Sequence, residues 1–85
     1  MDYILSQFFI GVKSNMEKIG SKLHALRNQR GYTLRKLAEI LGVHYTHLNK
    51  IENGQKKPST ELILKISGQF NVTTDQLMKD DLSID

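Results

Sequence analysis

The stretch that most constrains this chain runs from Thr33 to Gly54, where two short apolar-periodic blocks meet across a single glycine. Leu34, Leu37, Ala38 and Leu41 recur at helical spacing and predict an amphipathic helix from Leu34 to Leu41. Thr33 precedes it as an N-cap, its hydroxyl oxygen suited to accept an orphan backbone N–H. Gly42 breaks the helix, and Val43 turns the chain back toward the core. A second block, Tyr45 to Asn53, places Leu48 and Ile51 inward and is closed by Gly54. Its other positions are Tyr45, Thr46, His47, Asn49, Lys50 and Asn53, a face of hydrogen-bonding groups without an acid; Glu52 falls beside the buried side. Ala38 is small enough to let a neighbouring helix approach closely.

The flanking sequence continues in the same vein. Ile19, Leu23 and Leu26 predict a helix over about Glu17 to Arg30, stopped by Gly31. After the basic loop Gln55-Lys56-Lys57-Pro58, Ser59 caps a helix from Thr60 to Phe70 that turns Leu62, Ile63, Ile66 and Phe70 inward. Thr73-Thr74-Asp75-Gln76 reads as a capping box opening a short helix to Lys79, with Leu77 buried. Residues 80–85 read as an acidic tail expected to fray. β-Branched residues are scattered rather than alternating, and neither internal repeats nor low-complexity tracts occur. The fold class is therefore all-α.

An 85-residue chain suits one domain with one core, and a core of that size gains from a dimer interface. With no cysteine there is neither a disulfide framework nor a thiolate metal site, which fits a reducing cytoplasm. The longest apolar stretch, Tyr3 to Val12, is too short and too interrupted to span a bilayer, and Asp2 makes it a poor signal peptide. The net charge of +3 is unevenly laid out: residues 13–57 carry ten Lys/Arg against three acids, and residues 58–85 carry two against five. Such a body invites a polyanion on one face. Nothing in the sequence looks catalytic. There is no phosphate-binding glycine loop, no nucleophile with a base and orienter, and no acid pair placed for proton transfer, so no enzyme activity and no cofactor are expected. His44 and His47 lie three apart, but no carboxylate or thiolate nearby completes a metal site, and His24 reads as a surface residue. Tyr32 reads as a packing residue at the core edge.

Two short helices joined by a tight glycine turn make a helix-turn-helix unit. The stretch resembles the Cro/phage-repressor (Xre-type) family of DNA-binding domains, and the likeness extends over roughly residues 17–79. It includes Leu26-Arg27 and Gly31, Leu37-Ala38, Gly42-Val43, Ile51-Glu52-Asn53-Gly54, Lys57-Pro58-Ser59, Phe70-Asn71-Val72, Asp75 and Leu77. The resemblance implies a five-helix, lambda-repressor-like bundle that reads the major groove of double-stranded DNA, as a homodimer on a palindromic operator, and regulates transcription as a repressor. It makes 45–53 the recognition helix. About nine residues span roughly 13 Å, against a groove ~12 Å wide. Tyr45, Thr46 and Lys50 match the main base-reading positions, with Asn49 and His47 beside them; Lys50 suits guanine, Asn49 adenine, and Thr46 a thymine methyl. Thr33, Asn53, Lys56 and Lys57 flank that helix and suit phosphate contacts. Arg27 and Glu52 match a family pair that forms a buried salt bridge of structural role. Two departures stand out: Leu34 replaces a glutamine common at that position, and His44 replaces a small hydroxyl residue as cap of the recognition helix.

Residues 1–16 form an extension ahead of the DNA-binding domain (17–79) and the tail (80–85). Ile4, Leu5, Phe8, Phe9 and Val12 are spaced for one amphipathic helix. It is read as a dimer or partner-binding helix, as added core, or as a lead-in with Met16 an alternative start; the first two are favoured because exposed Phe8-Phe9 is an aggregation liability. An antitoxin-like protein-interaction module on the same fold is the alternative function, using this segment. Control is expected through concentration, dimerisation or a partner, since no second, ligand-sensing domain is apparent.

Overall fold

The computed structural model describes residues 16–85, and among these all regular structure is helical. Five helices follow in order: α1 (Ile19–Gln29), α2 (Leu34–Leu41), α3 (Tyr45–Glu52), α4 (Thr60–Phe70) and α5 (Thr74–Met78). α3 packs on both α1 and α2, α4 on α2 and α5, and α5 closes back on α1. The expected inward residues form one cluster, with Leu23, Leu37, Leu48, Ile51, Ile66 and Leu77 completely buried at its centre. Met16, Tyr32, Leu34, Val43, Tyr45 and Val72 pack around its margin.

The helix starts follow from side-chain caps. Thr33 Oγ1 accepts from the Lys36 amide at 3.0 Å, and Ser59 Oγ from that of Leu62 at 3.2 Å. Thr73 and Gln76 satisfy one another's amides in a reciprocal box at 2.8 and 3.0 Å. The stop between α2 and α3 has the same economy. Gly42 sits at φ +73°, and the bonds Gly42 N–H to Glu39 O and Val43 N–H to Ala38 O consume two orphan carbonyls. The same bond pair closes α1 at Gly31 and α3 at Gly54, whereas at the end of α4 the amides of Asn71 and Val72 both donate to Ser67 O.

Two expectations need correction, and they share one cause. α1 begins at Ile19 rather than Glu17, because Lys18 offers no side-chain cap. The amides just ahead of it are satisfied from the other end of the chain: Asp80 accepts from Glu17 N–H at 3.2 Å and Lys18 N–H at 2.9 Å. The tail therefore does not fray. Lys22 Nζ donates to the carbonyls of Gln76, Lys79 and Leu82 at 2.6–2.7 Å, and Gln76 Nε2 donates to Ser83 O at 3.1 Å. One carboxylate thus serves the start of α1 while one ammonium from α1 serves the end of α5, each matching the partial charge of its helix end. Lys22 is only 8% exposed. Burial pulls its ammonium below the usual lysine range, with Asp80 pulling the other way.

Candidate nucleic-acid interface

α3 is anchored from beneath and open above. Leu48 and Ile51 are fully buried, whereas Thr46, Asn49, Lys50 and Asn53 are exposed, and Tyr45 and His47 are half-buried. The segment Tyr45–Glu52 is helical, and Asn53 is its C-cap. Its N-cap is His44, in extended backbone, whose Nδ1 accepts from the Thr46 amide at 3.2 Å and lies 2.8 Å from Thr46 Oγ1. An imidazole nitrogen that accepts carries no proton, so while the ring caps the helix through Nδ1 any hydrogen of the neutral ring sits on Nε2. The imidazole therefore fills the place of a hydroxyl cap.

Thr33 is exposed at the start of α2, with its oxygen engaged as a cap. Lys56 and Lys57 are exposed in the loop after α3, and Lys57 Nζ donates to the Met16 carbonyl at 2.6 Å. Among the described residues neither Lys50 nor Lys56 has an acidic partner within ion-pair distance. Ile4, Leu5, Phe8, Phe9 and Val12 lie outside the described residues.

The depth of α3 is set by its contacts with α1. Glu52, its side chain 4% exposed, receives Arg27 Nε at 2.8 Å and Nη2 at 3.1 Å in a two-point pair. Arg27 Nη1 donates to Tyr32 O at 2.9 Å, and His24 Nδ1 lies 2.9 Å from Glu52 Oε1. Asn28 Nδ2 lies 3.0 Å from His24 Nε2, and Arg27 Nη2 lies 3.3 Å from His24 Nδ1. His24 is exposed, as expected, yet it belongs to this network. Gly20, unremarked in the sequence reading, lies under α3: a Cβ there would overlap the Ile51 carbonyl oxygen and stand 3.0 Å from that of Glu52.

The charge count of the basic segment overstates what a ligand meets. Lys22 is buried under three carbonyls and Arg27 is bound to Glu52, so both serve the fold. Conversely, sequence reasoning passed over Arg35. Its guanidinium carbon stands 4.0 Å from the centroid of the Tyr45 ring, linking the first turns of α2 and α3.

This framework, two short helices locked across a glycine with the second exposing a polar, acid-free face, defines a helix-turn-helix protein of the lambda-repressor-like class. The chain belongs to the helix-turn-helix family HTH_3, which it matches over residues 23–77. It is 36% identical over 66 residues to the HTH-type transcriptional regulator ImmR of Bacillus subtilis (strain 168), covering 76% of this chain and 52% of that protein. The N-terminal DNA-binding domain of SinR from Bacillus subtilis superposes with a TM-score of 0.71 at 29% identity, covering 79% of this chain and 99% of that one. The DNA-binding domain of the P22 c2 repressor gives 0.68 at 26% identity, covering 76% and 86%. The chain spans about half the length of ImmR. Among the described residues no helix is long and apolar enough to cross a membrane.

Proposed function

We propose that the protein is a sequence-specific regulator of transcription that binds double-stranded DNA in the cytoplasm, inserting α3 into the major groove. The observation that carries this reading is the two-sided character of α3, with Leu48 and Ile51 sealed in the core while Thr46, Asn49 and Lys50 stand clear of it. A helix so mounted offers hydrogen-bonding side chains to base edges in the groove. Tyr45, Thr46 and Lys50 are the proposed base contacts, with Asn49 and His47 beside them. Thr33, Asn53, Lys56 and Lys57 are the proposed backbone contacts, which set position and affinity. Support for a repressor comes from the likeness to the P22 c2 repressor domain.

The operator is proposed to be two-fold symmetric and bound by a dimer, with Ile4, Leu5, Phe8, Phe9 and Val12 contributing to the dimer or to a protein partner. Selection of bound duplexes from a random pool tests this. Enriched sequences should carry two symmetric half-sites about one helical turn apart, roughly 34–36 Å centre to centre. Failure to enrich any sequence at low salt would remove the DNA-binding reading. Enrichment of a single asymmetric site would remove the dimer.

A further inference from the structure

A cation held on an aromatic ring stands at the edge of the α3 face. Arg35 is the second residue of α2 and is exposed, and its guanidinium carbon lies 4.0 Å from the centroid of the Tyr45 ring. That ring is seated against the core margin and stacks with the His44 imidazole, 5.1 Å between centroids and 25° between planes. His44 is itself fixed by capping α3. The first residue of α3, braced by that helix's N-cap, therefore holds one side chain of α2 in place.

Contact with a ring occupies the face of a guanidinium but not its N–H groups, which lie in its plane. Four other cations of the described residues are already committed to partners. Arg27 is paired with Glu52, Lys36 with Glu39 and Lys79 with Asp75, and Lys22 is spent on backbone carbonyls. Among the described residues no carboxylate lies within ion-pair distance of Arg35. A planar fork, oriented in advance and lacking an anion, matches the two free oxygens of a phosphodiester. It sits in the first turn of α2, where backbone amides also favour an anion and where Leu34 packs against the core margin.

We propose that Arg35 clamps a DNA backbone phosphate and that Tyr45 is its platform, so that Tyr45 acts by positioning a cation as well as by any contact of its own. This rests on the DNA-binding reading above. It assigns a sequence-independent role to a residue outside α3, and it makes the aromatic ring, rather than the hydroxyl, the important part of Tyr45.

The test uses the full chain, a selected duplex and a scrambled duplex of equal length, with affinity measured across a series of salt concentrations. Arg35→Ala should weaken both duplexes by the same factor and flatten the plot of log K against log salt by about one unit, the signature of one lost phosphate contact. Tyr45→Phe should keep the wild-type slope, whereas Tyr45→Leu should flatten it as Arg35→Ala does, and combining Arg35→Ala with Tyr45→Leu should flatten it no further. Unchanged thermal melts for Arg35→Ala would exclude a folding defect. A steep wild-type slope that Arg35→Ala leaves intact overturns the clamp while sparing the DNA-binding reading. Loss confined to the selected duplex also overturns it, because Arg35 would then read a base. A Tyr45→Leu slope equal to wild type overturns the platform. A wild type without salt-sensitive duplex binding overturns both readings together.

Discussion

Placing a methyl group at Gly20 tests how α3 is held. In an isolated helix, glycine to alanine gains about 1 kcal/mol because alanine loses less backbone freedom. Gly20 is the second residue of α1, and its missing Cβ is what lets the end of α3 settle on that helix. The added carbon would overlap the Ile51 carbonyl oxygen and stand 3.0 Å from the Glu52 oxygen and 3.2 Å from the Glu52 carbonyl carbon. These are backbone atoms, so no side chain can swing aside; α1 and α3 must separate. Overpacking of this kind costs roughly 1–3 kcal/mol when side chains can adjust, and here the backbone must move. The same separation would pull on the Arg27–Glu52 pair, whose contact is 2.8 Å.

Setting a cost near the upper end of that range against the helix gain leaves Gly20→Ala destabilised by about 2 kcal/mol. For a domain of this size that lowers Tm by roughly 8–16 °C. Gly68 in α4 is the internal control, since no described atom lies within 4 Å of where its Cβ would be. Gly68→Ala should therefore raise Tm slightly, by the part of the propensity gain that a last-turn position retains. Thermal denaturation of both variants, followed by helical circular dichroism, gives two shifts of opposite sign. A Gly20→Ala protein as stable as wild type, or stabilised like Gly68→Ala, would refute the close approach of α1 to α3.

Other outcomes follow from the same contacts. Glu52→Ala strands Arg27 and is expected to cost about 3 kcal/mol by urea denaturation, the low end for a buried pair because Arg27 is 14% exposed. Lys22→Met leaves the carbonyls of Gln76, Lys79 and Leu82 without their donor and should destabilise by about 1–3 kcal/mol. Because burial lowers the Lys22 pKa in the folded state, the unfolded chain holds that proton more tightly, so the wild type should gain stability relative to Lys22→Met as pH rises from neutral toward the ordinary lysine value of 10.5. Comparing the two proteins' unfolding midpoints across that range checks the sign. Lys50→Ala should weaken the selected duplex and relax preference at one base position, whereas Lys56→Ala should weaken all duplexes alike and flatten the salt slope. Identical behaviour of the two would refute the division into base and phosphate contacts.

What the sequence made legible was local chemistry. Thr33, Ser59 and the Thr73/Gln76 box start helices within one turn of themselves, and Gly31, Gly42 and Gly54 stop them, so each could be read in place. Periodicity found the buried faces for the same reason. Lys22 and Asp80 escaped because their partners are remote: Lys22 reaches carbonyls 54 to 60 positions away, and Asp80 reaches an amide 62 positions away. On a helical wheel a lysine without a nearby acid looks solvated, and at a chain end an aspartate looks loose. Only the meeting of α1 with α5 gives either a task. Gly20 went unremarked because its function is a space, and a space is defined by another helix. Arg35 is the intermediate case. It was counted as charge, but its role depends on the α2–α3 turn bringing the opening turns of both helices together, which the motif fixes and a charge count does not. Reading helix ends as paired sites, each end asking which residue elsewhere completes it, recovers Lys22, Asp80 and Arg35 from one geometric question.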